Sequence, residues 1–124
     1  MNIGSSGEKE LQKKLGTEGR ARSFYQNQVL TYLNEEMITF VRQAELCFIA
    51  TSDAHGECDC SLRSGEAGFF FVENDQTIYY PEYRGNGVMA SLGNISENPH
   101  VGLMFIDFYE AAIGLHVNGA AEII

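Results

Sequence analysis

Residues 46–63, LCFIATSDAHGECDCSLR, contain the pattern that decides the fold class. The first part, 46–51, is a compact apolar run typical of a β-strand, and the last part, 58–63, alternates with a period of two. The intervening Asp53-Ala-His-Gly56 has the composition of a turn. The stretch therefore predicts an antiparallel hairpin.

Similar strand and turn patterns continue towards the C-terminus. The turn dipeptide Asn74-Asp75 separates two further β-type runs and predicts a second hairpin. Apolar residues from Val88 to Ile95 recur at helical intervals, which predicts one helix between the fourth and fifth strands. The predicted strands are 46–51, 58–63, 68–73, 77–80, 101–107 and 113–121.

The chain before residue 45 has a different character. Residues 1–7 are polar and glycine-rich, so we treat them as a flexible start or a cloning remnant. Residues 8–44 form an N-terminal helical segment, in which Asn34 is the expected N-cap of a short helix. Residues 45–124 form the β domain.

Length and charge exclude several classes of protein. A chain of 124 residues fits one domain, and its net charge of -9 argues against nucleic-acid binding. No apolar run is long enough to cross a bilayer and no secretory signal is visible, so we expect a cytoplasmic protein without membrane contacts.

Positive charge is scarce in the β domain. Six of the eight basic residues precede residue 45, and Arg63 and Arg84 are the other two. The same region carries twelve carboxylates from Glu45 to Glu122, so bulk charge cannot attract an anion there. An anion site in this domain must therefore be local and use these two arginines.

Arg84-Gly-Asn-Gly87 directly precedes the predicted helix. Helix N-termini offer unpaired N–H groups, glycines let the backbone approach an anion, and a guanidinium can bind two phosphate oxygens. Arg84, Gly85 and Asn86 are therefore candidate phosphate ligands. The alternative is a glycine-rich turn with a solvated arginine.

Arg63 lies in Ser61-Leu-Arg-Ser64, at the end of a predicted strand. Its guanidinium and the neighbouring hydroxyls could meet a phosphate from the side opposite the helix. The alternative is a rim arginine that pairs with one of the many carboxylates.

A dinucleotide-binding fingerprint is a rival interpretation of the same segment. Gly85, Gly87 and Ala90 match G-x-G-x-x-A, and Asp107 follows about twenty residues later. That fingerprint requires a parallel βαβ unit, whereas the preceding strands are predicted to be antiparallel hairpins.

The cysteines and histidines predict no metal or catalytic centre. Cys58 and Cys60 would share one face of a strand, and we expect them in or near the core because free cysteines tend to be buried. The histidines have no catalytic partner at a readable spacing and are expected to be structural or surface residues: His55, His100 and His116.

In this order, several of these stretches resemble the pyridoxamine 5'-phosphate oxidase-like family of FMN-binding split barrels. The resemblance extends from about Leu15 to Ile124. The stretches that carry it are 48–56 (FIATSDAHG), 61–65 (SLRSG) with Gly68-Phe69, 80–86 (YPEYRGN), 92–103 (LGNISENPHVGL) and 117–120 (VNGA).

The resemblance implies a mainly β fold with flanking helices, built as a six-stranded antiparallel split barrel of the Greek-key type. It also implies a homodimer with flavin mononucleotide (FMN) at the interface. Family members usually continue past this point, so the barrel is expected to be C-terminally incomplete. The implied cofactor-binding residues are Ser61, Arg63, Ser64, Tyr80, Arg84, Gly85 and Asn86, with the backbone near Ser61 and Tyr80 facing the flavin ring.

The function implied by the resemblance is an FMN-dependent oxidoreductase that acts on an unidentified small substrate, with no catalytic residue assigned. The residues that bind the substrate phosphate in pyridoxamine 5'-phosphate oxidases have no match here, so vitamin B6 oxidation is not expected. The alternative is a non-catalytic module that binds or senses flavin. Related barrels include flavin reductases and proteins that bind flavin or haem without known turnover.

Overall fold

A computed structural model of the chain describes residues 3–83, 85–110 and 112–124. The chain divides into two units, the first ending at Leu33 and the second spanning Asn34–Ile124. None of the helices in these described ranges is long and apolar enough to cross a membrane.

The first unit is a pair of helices, α1 (Ser6–Leu15) and α2 (Glu18–Gln28). The Ser5 hydroxyl caps α1 by accepting a hydrogen bond from the Glu8 N–H at 3.1 Å. The Tyr25 hydroxyl of α2 accepts a hydrogen bond from the Gln12 amide at 2.7 Å and donates one to the Glu8 carboxylate. These side chains of the two helices therefore hold α1 and α2 together.

The described residues of the second unit form six strands and two helices, with one helix between the fourth and fifth strands. The prediction of a mainly β fold with flanking helices is therefore confirmed. The elements are α3 (Glu35–Gln43), β1 (Leu46–Ser52), β2 (Cys58–Ser64), β3 (Phe71–Asn74), β4 (Thr77–Tyr79), α4 (Ala90–Glu97), β5 (His100–Asp107) and β6 (Ile113–Ala120).

All strand pairs between the described residues are antiparallel. Four strands form a sheet in the order β2-β1-β5-β6, and β3 pairs with β4 in a separate hairpin. The ladders do not close the six strands into a barrel, but the two-sheet division fits the expected split architecture. The dinucleotide-binding interpretation is wrong, because the strand that ends at Asp107 has antiparallel neighbours on both sides.

Two local predictions are confirmed by hydrogen bonds. Asn34 caps α3, since its side-chain oxygen accepts the Met37 N–H at 2.9 Å. The β1–β2 hairpin turns at Asp53, whose carboxylate accepts the N–H groups of His55 and Glu57 at 2.8 and 2.9 Å.

Two element boundaries differ from the sequence prediction. Strand β3 begins at Phe71 rather than at Gly68, because Gly68 has φ +93° and the Phe69 N–H closes a turn onto the Glu66 carbonyl. Helix α4 begins at Ala90, because Met89 adopts a left-handed conformation with φ 57°. The pattern of apolar residues does not reveal the positive φ angle at either position.

The core lies on one face of the four-stranded sheet, which we call the inner face. Cys47 pairs with Phe105 and Ile49 with Leu103 across β1 and β5, and all four side chains are buried. Phe70 packs edge-to-face on Phe105 with ring centroids 4.9 Å apart. Phe70, which directly precedes β3, therefore packs on the inner face of the four-stranded sheet.

The expectation that Cys58 and Cys60 lie in or near the core is wrong, since both are exposed. Their partners across β1 are Ser52 and Ala50, which alternate with the buried Ile49. Cys58 and Cys60 therefore face outward, and the polar residues between and after them face the core side. Strand alternation outweighs the tendency of a thiol to be buried.

Candidate functional site

The polar face of β2 carries Asp59, Ser61 and Arg63. They occupy alternate positions and so project on the same side of the strand. Arg63 pairs with Cys47, which places this row on the inner face. Helix α4 packs against β1 and β2, so the row lies beneath the start of that helix.

The Arg63 guanidinium forms a two-pronged ion pair with Glu82. Nε and Nη2 donate to the two carboxylate oxygens at 2.5 and 2.9 Å. The two side chains are 26% and 17% exposed, so the pair is largely withdrawn from water. Nη1 donates to the Leu62 carbonyl at 3.2 Å. The structure therefore shows the alternative stated for Arg63 in the sequence analysis, in which the arginine pairs with a carboxylate of the chain.

Ser91 joins α4 to this ion pair, and sequence reasoning did not select it. Its hydroxyl accepts a hydrogen bond from Arg63 Nη2 at 3.3 Å and contacts the Ser61 hydroxyl at 3.4 Å. The Ser61 hydroxyl donates to the Asp59 carboxylate at 2.7 Å. Ser91 is only 3% exposed and lies four residues before the buried Ile95, so helical spacing alone would have placed it on the packed face.

The first turn of α4 contacts this cluster through Ser91. Met89 occupies the N-cap position and provides no side-chain cap for the first N–H groups. Deeper along the helix, the Asn94 amide donates to the buried Thr51 hydroxyl at 3.0 Å. Because β1 and α4 are joined in this way, Ser91 has a defined position relative to β2.

Three other predicted site residues have defined local environments. Ser64 follows Arg63 directly in β2 and is exposed, so strand alternation directs it to the other face. The Asn86 side chain accepts the Val88 N–H at 2.9 Å within the turn where Gly85 has φ 52°. Ser64 therefore lies on the opposite face of β2 from Arg63, and the Asn86 side chain has a hydrogen bond within its own turn.

Tyr80 is half-buried, and its ring stacks on Phe70 with centroids 5.0 Å apart. Burial, followed by the charge of Glu82, raises the pKa of the Tyr80 phenol above its ordinary value. Tyr80 thus remains a neutral hydrogen-bonding group near the ion pair. Arg84 lies outside the described residues.

The electrostatics of the cluster do not favour an additional anion without rearrangement. Hydrogen bonding to Glu82 raises the pKa of Arg63, so the guanidinium is charged at every relevant pH. Glu82 balances that charge, and Asp59 adds a second negative charge nearby. A bound anion therefore has to compete with carboxylates of the chain itself.

Two shallow depressions on the described surface lie away from this cluster. Neither depression includes Arg63, Glu82 or Ser91, and the one of about 380 Å³ runs along α3. Across the described ranges, no three histidine, cysteine or carboxylate side chains are grouped as metal ligands.

Burial raises the pKa of the Cys47 thiol from its ordinary value to about 12, although the nearby Arg63 charge opposes this rise. A raised pKa means that the folded state retains the proton, so Cys47 stabilises the fold below about pH 9 and loses this contribution as pH rises towards 12.

We therefore expect a thiol reagent at pH 8 to label Cys58 and Cys60 in the folded protein and Cys47 only after unfolding in urea. Mass spectrometry of the labelled protein measures this directly. The exposed Cys58 and Cys60 serve as internal controls, and labelling of all three cysteines without denaturant would contradict the burial of Cys47.

Comparisons with known proteins agree with this architecture. Two solved structures of HupZ from Group A Streptococcus are 26% identical to the chain. One, of a histidine-to-alanine variant, has a TM-score of 0.58 and covers 73% of this chain and 69% of its own. The other has a TM-score of 0.56, and the match covers 72% of this chain and 64% of that HupZ chain.

The heme storage protein HutZ from Vibrio cholerae has the same fold, with a TM-score of 0.53 at 23% identity. The match covers 74% of this chain and 63% of HutZ. The chain thus spans about two thirds of the length of these proteins. No curated protein matches it in sequence.

A family model described as pyridoxamine 5'-phosphate oxidase matches residues 33–124, which include every strand of the second unit and both of its helices. The chain therefore belongs to the pyridoxamine 5'-phosphate oxidase family.

Proposed function

We propose that this chain binds FMN and that Arg63, Ser61 and Ser91 hold the flavin phosphate at the start of α4. The observation that carries this proposal is the half-buried guanidinium of Arg63, hydrogen-bonded to the buried Ser91 hydroxyl in the first turn of that helix. An arginine, hydroxyl groups and helix N–H groups are the donors that proteins use for phosphate.

The donors of these residues fit a phosphate once the Glu82 carboxylate has moved away from Arg63. The guanidinium presents two parallel N–H groups in the fork that now holds the Glu82 carboxylate, and a phosphate can use the same fork. The Ser91 hydroxyl already accepts from Arg63, and rotation would transfer its proton from the long 3.4 Å contact with the Ser61 hydroxyl to a phosphate oxygen.

The activity we propose is that of an FMN-dependent oxidoreductase acting on an unidentified small substrate. A bound flavin would supply the electron or hydride transfer, and the chain would bind and orient it. The chain would act as a homodimer, since the exposed apolar residues Ile113, Ile123 and Ile124 are suited to an interface between copies.

A second candidate, haem binding, has its own observation. On the outer face of the four-stranded sheet, one row of directly paired residues crosses all four strands: Leu62, Phe48, Met104 and His116. Three inter-strand spacings of about 4.8 Å make this row about 14 Å wide.

The row combines an apolar surface with the imidazole of His116, a side chain that can bind a metal. Leu62 is 54% exposed and the His116 side chain is exposed, so the band reaches solvent at both edges. Such a band could pack against a flat porphyrin while the imidazole binds its iron. HutZ, with the same fold, is a heme storage protein.

Titration of the purified protein with FMN and, separately, with haemin distinguishes the two candidates. If the first is right, wild type and His116→Ala quench flavin fluorescence at similar FMN concentrations, and Arg63→Met requires a concentration at least about tenfold higher. If the second is right, a Soret shift appears with wild type and Arg63→Met and is lost in His116→Ala. Neither signal with wild type would reject both.

Enzymatic turnover needs its own measurement. Steady NAD(P)H oxidation by the FMN-loaded protein would support an oxidoreductase. Stoichiometric FMN binding without turnover, across several electron acceptors, would support the non-catalytic flavin module instead.

A further inference from the structure

The Glu82 carboxylate occupies the part of Arg63 that is best suited to a phosphate. It uses Nε and Nη2, one of the two edges of the guanidinium that present two parallel donors, at 2.5 and 2.9 Å. The remaining nitrogen, Nη1, is directed at the Leu62 carbonyl. Nη2 also donates to the Ser91 hydroxyl at 3.3 Å, so the second edge, Nη1 and Nη2, is engaged as well. A phosphate could therefore obtain the two parallel hydrogen bonds from Nε and Nη2 only by taking the place of Glu82.

We propose that Glu82 is an internal competitor for the anion site and that it sets the specificity of that site for phosphate-bearing ligands. The inference rests on the proposed function, because it concerns the same guanidinium. A phosphate with close to two negative charges and three acceptor oxygens can displace a carboxylate, whereas a ligand without a phosphate has nothing with which to displace it.

The position of Glu82 in the chain makes this exchange physically accessible. Residues 80–83 belong to no helix or strand, so moving the Glu82 side chain breaks no ladder or helical hydrogen bond. Arg63, in contrast, is held in β2, and Ser91 is held in α4. The two donors would stay in place while the competing carboxylate leaves.

The other charged and titratable groups around Arg63 do not duplicate this role. Asp59 lies along the same face of β2 and is engaged by the Ser61 hydroxyl at 2.7 Å. Tyr80 and Cys47 both have raised pKa values, so both are neutral near pH 7. Among these groups, Glu82 is the carboxylate that contacts the guanidinium.

Glu82→Gln keeps the size of the side chain and removes its charge. A neutral hydrogen bond is roughly half as strong as a charge-assisted one, so we expect FMN to bind the variant roughly tenfold more tightly than wild type. Inorganic phosphate should gain affinity by a similar factor, and riboflavin, which lacks the phosphate, should be unaffected.

Quenching of flavin fluorescence measures the FMN and riboflavin affinities, and competition against FMN measures phosphate. The matched control is Glu66→Gln, an exposed glutamate outside the cluster, which should leave all three affinities unchanged. Circular dichroism checks that each variant is folded. Should Glu82→Gln fail to fold, Glu82→Asp keeps the charge but shortens the reach, and should also tighten FMN binding.

Three results would overturn the inference. Equal or weaker FMN binding by folded Glu82→Gln, with wild type binding FMN through Arg63, would mean that Glu82 positions Arg63 and does not compete. An equal gain for riboflavin would mean that the effect does not involve the phosphate. No binding of FMN or phosphate by wild type and variant would reject the proposed function together with the inference.

Discussion

Replacing Arg63 by methionine is expected to weaken FMN binding by roughly 10- to 150-fold. Methionine retains much of the apolar stem but removes every donor of the guanidinium. Hydrogen bonds to charged groups contribute about 1.5 to 3 kcal/mol each, and a tenfold change in affinity corresponds to about 1.4 kcal/mol. Loss of Arg63 also leaves the Glu82 carboxylate in the cluster, where it repels a phosphate.

Two further variants make this measurement specific. Arg42→Met removes an exposed arginine from the last turn of α3 and should leave the FMN affinity unchanged. The double variant Arg63→Met/Glu82→Gln should recover stability relative to Arg63→Met, because no unpaired carboxylate remains, but it should not recover FMN binding. FMN binding within threefold of wild type in folded Arg63→Met would remove Arg63 from the site.

The second large effect is expected in the core. Phe105 is fully buried, sits opposite Cys47 in the sheet and packs edge-to-face on Phe70. Its replacement by alanine should lower the free energy of unfolding by about 3 to 5 kcal/mol, through lost burial and the cavity that remains. Domains of this size are typically stable by about 5 to 15 kcal/mol, so the loss is a large fraction of the total.

Urea unfolding followed by circular dichroism measures this effect. The matched control is Phe108→Ala, three residues further on, where the ring is 57% exposed and the expected change is within about 0.5 kcal/mol. Phe105→Leu keeps more of the buried volume and should show a smaller loss if the alanine variant does not fold. Similar losses for Phe105→Ala and Phe108→Ala would contradict the assignment of the core.

The fold was predictable from sequence where the determining interactions are local. Asn34 precedes two glutamates and caps the helix that follows it, which requires only neighbouring residues. The hairpin around Asp53 depends on one side chain and the N–H groups just after it. The predicted start of β3 was three residues too early and that of α4 two residues too early. Gly68 and Met89 have positive φ angles, and the apolar pattern does not change at either residue.

The candidate site was predictable only in part. Period-two alternation correctly relates Ser61 to Arg63 and sets Ser64 on the opposite face. Alternation does not say which face meets the core, and the tendency of thiols to be buried favoured the wrong face for Cys58 and Cys60. The face is chosen by the packing of α4 over the polar row and by the core partners of β1.

Sequence by itself determined the six strands, the helix between the fourth and fifth of them, and the scarcity of positive charge that singled out Arg63 and Arg84. Only the tertiary structure decided what Arg63 contacts. Glu82 and Ser91 lie 19 and 28 positions away along the chain. Such contacts arise when a helix and a connecting segment pack on an edge strand, and no local period in the sequence encodes that placement.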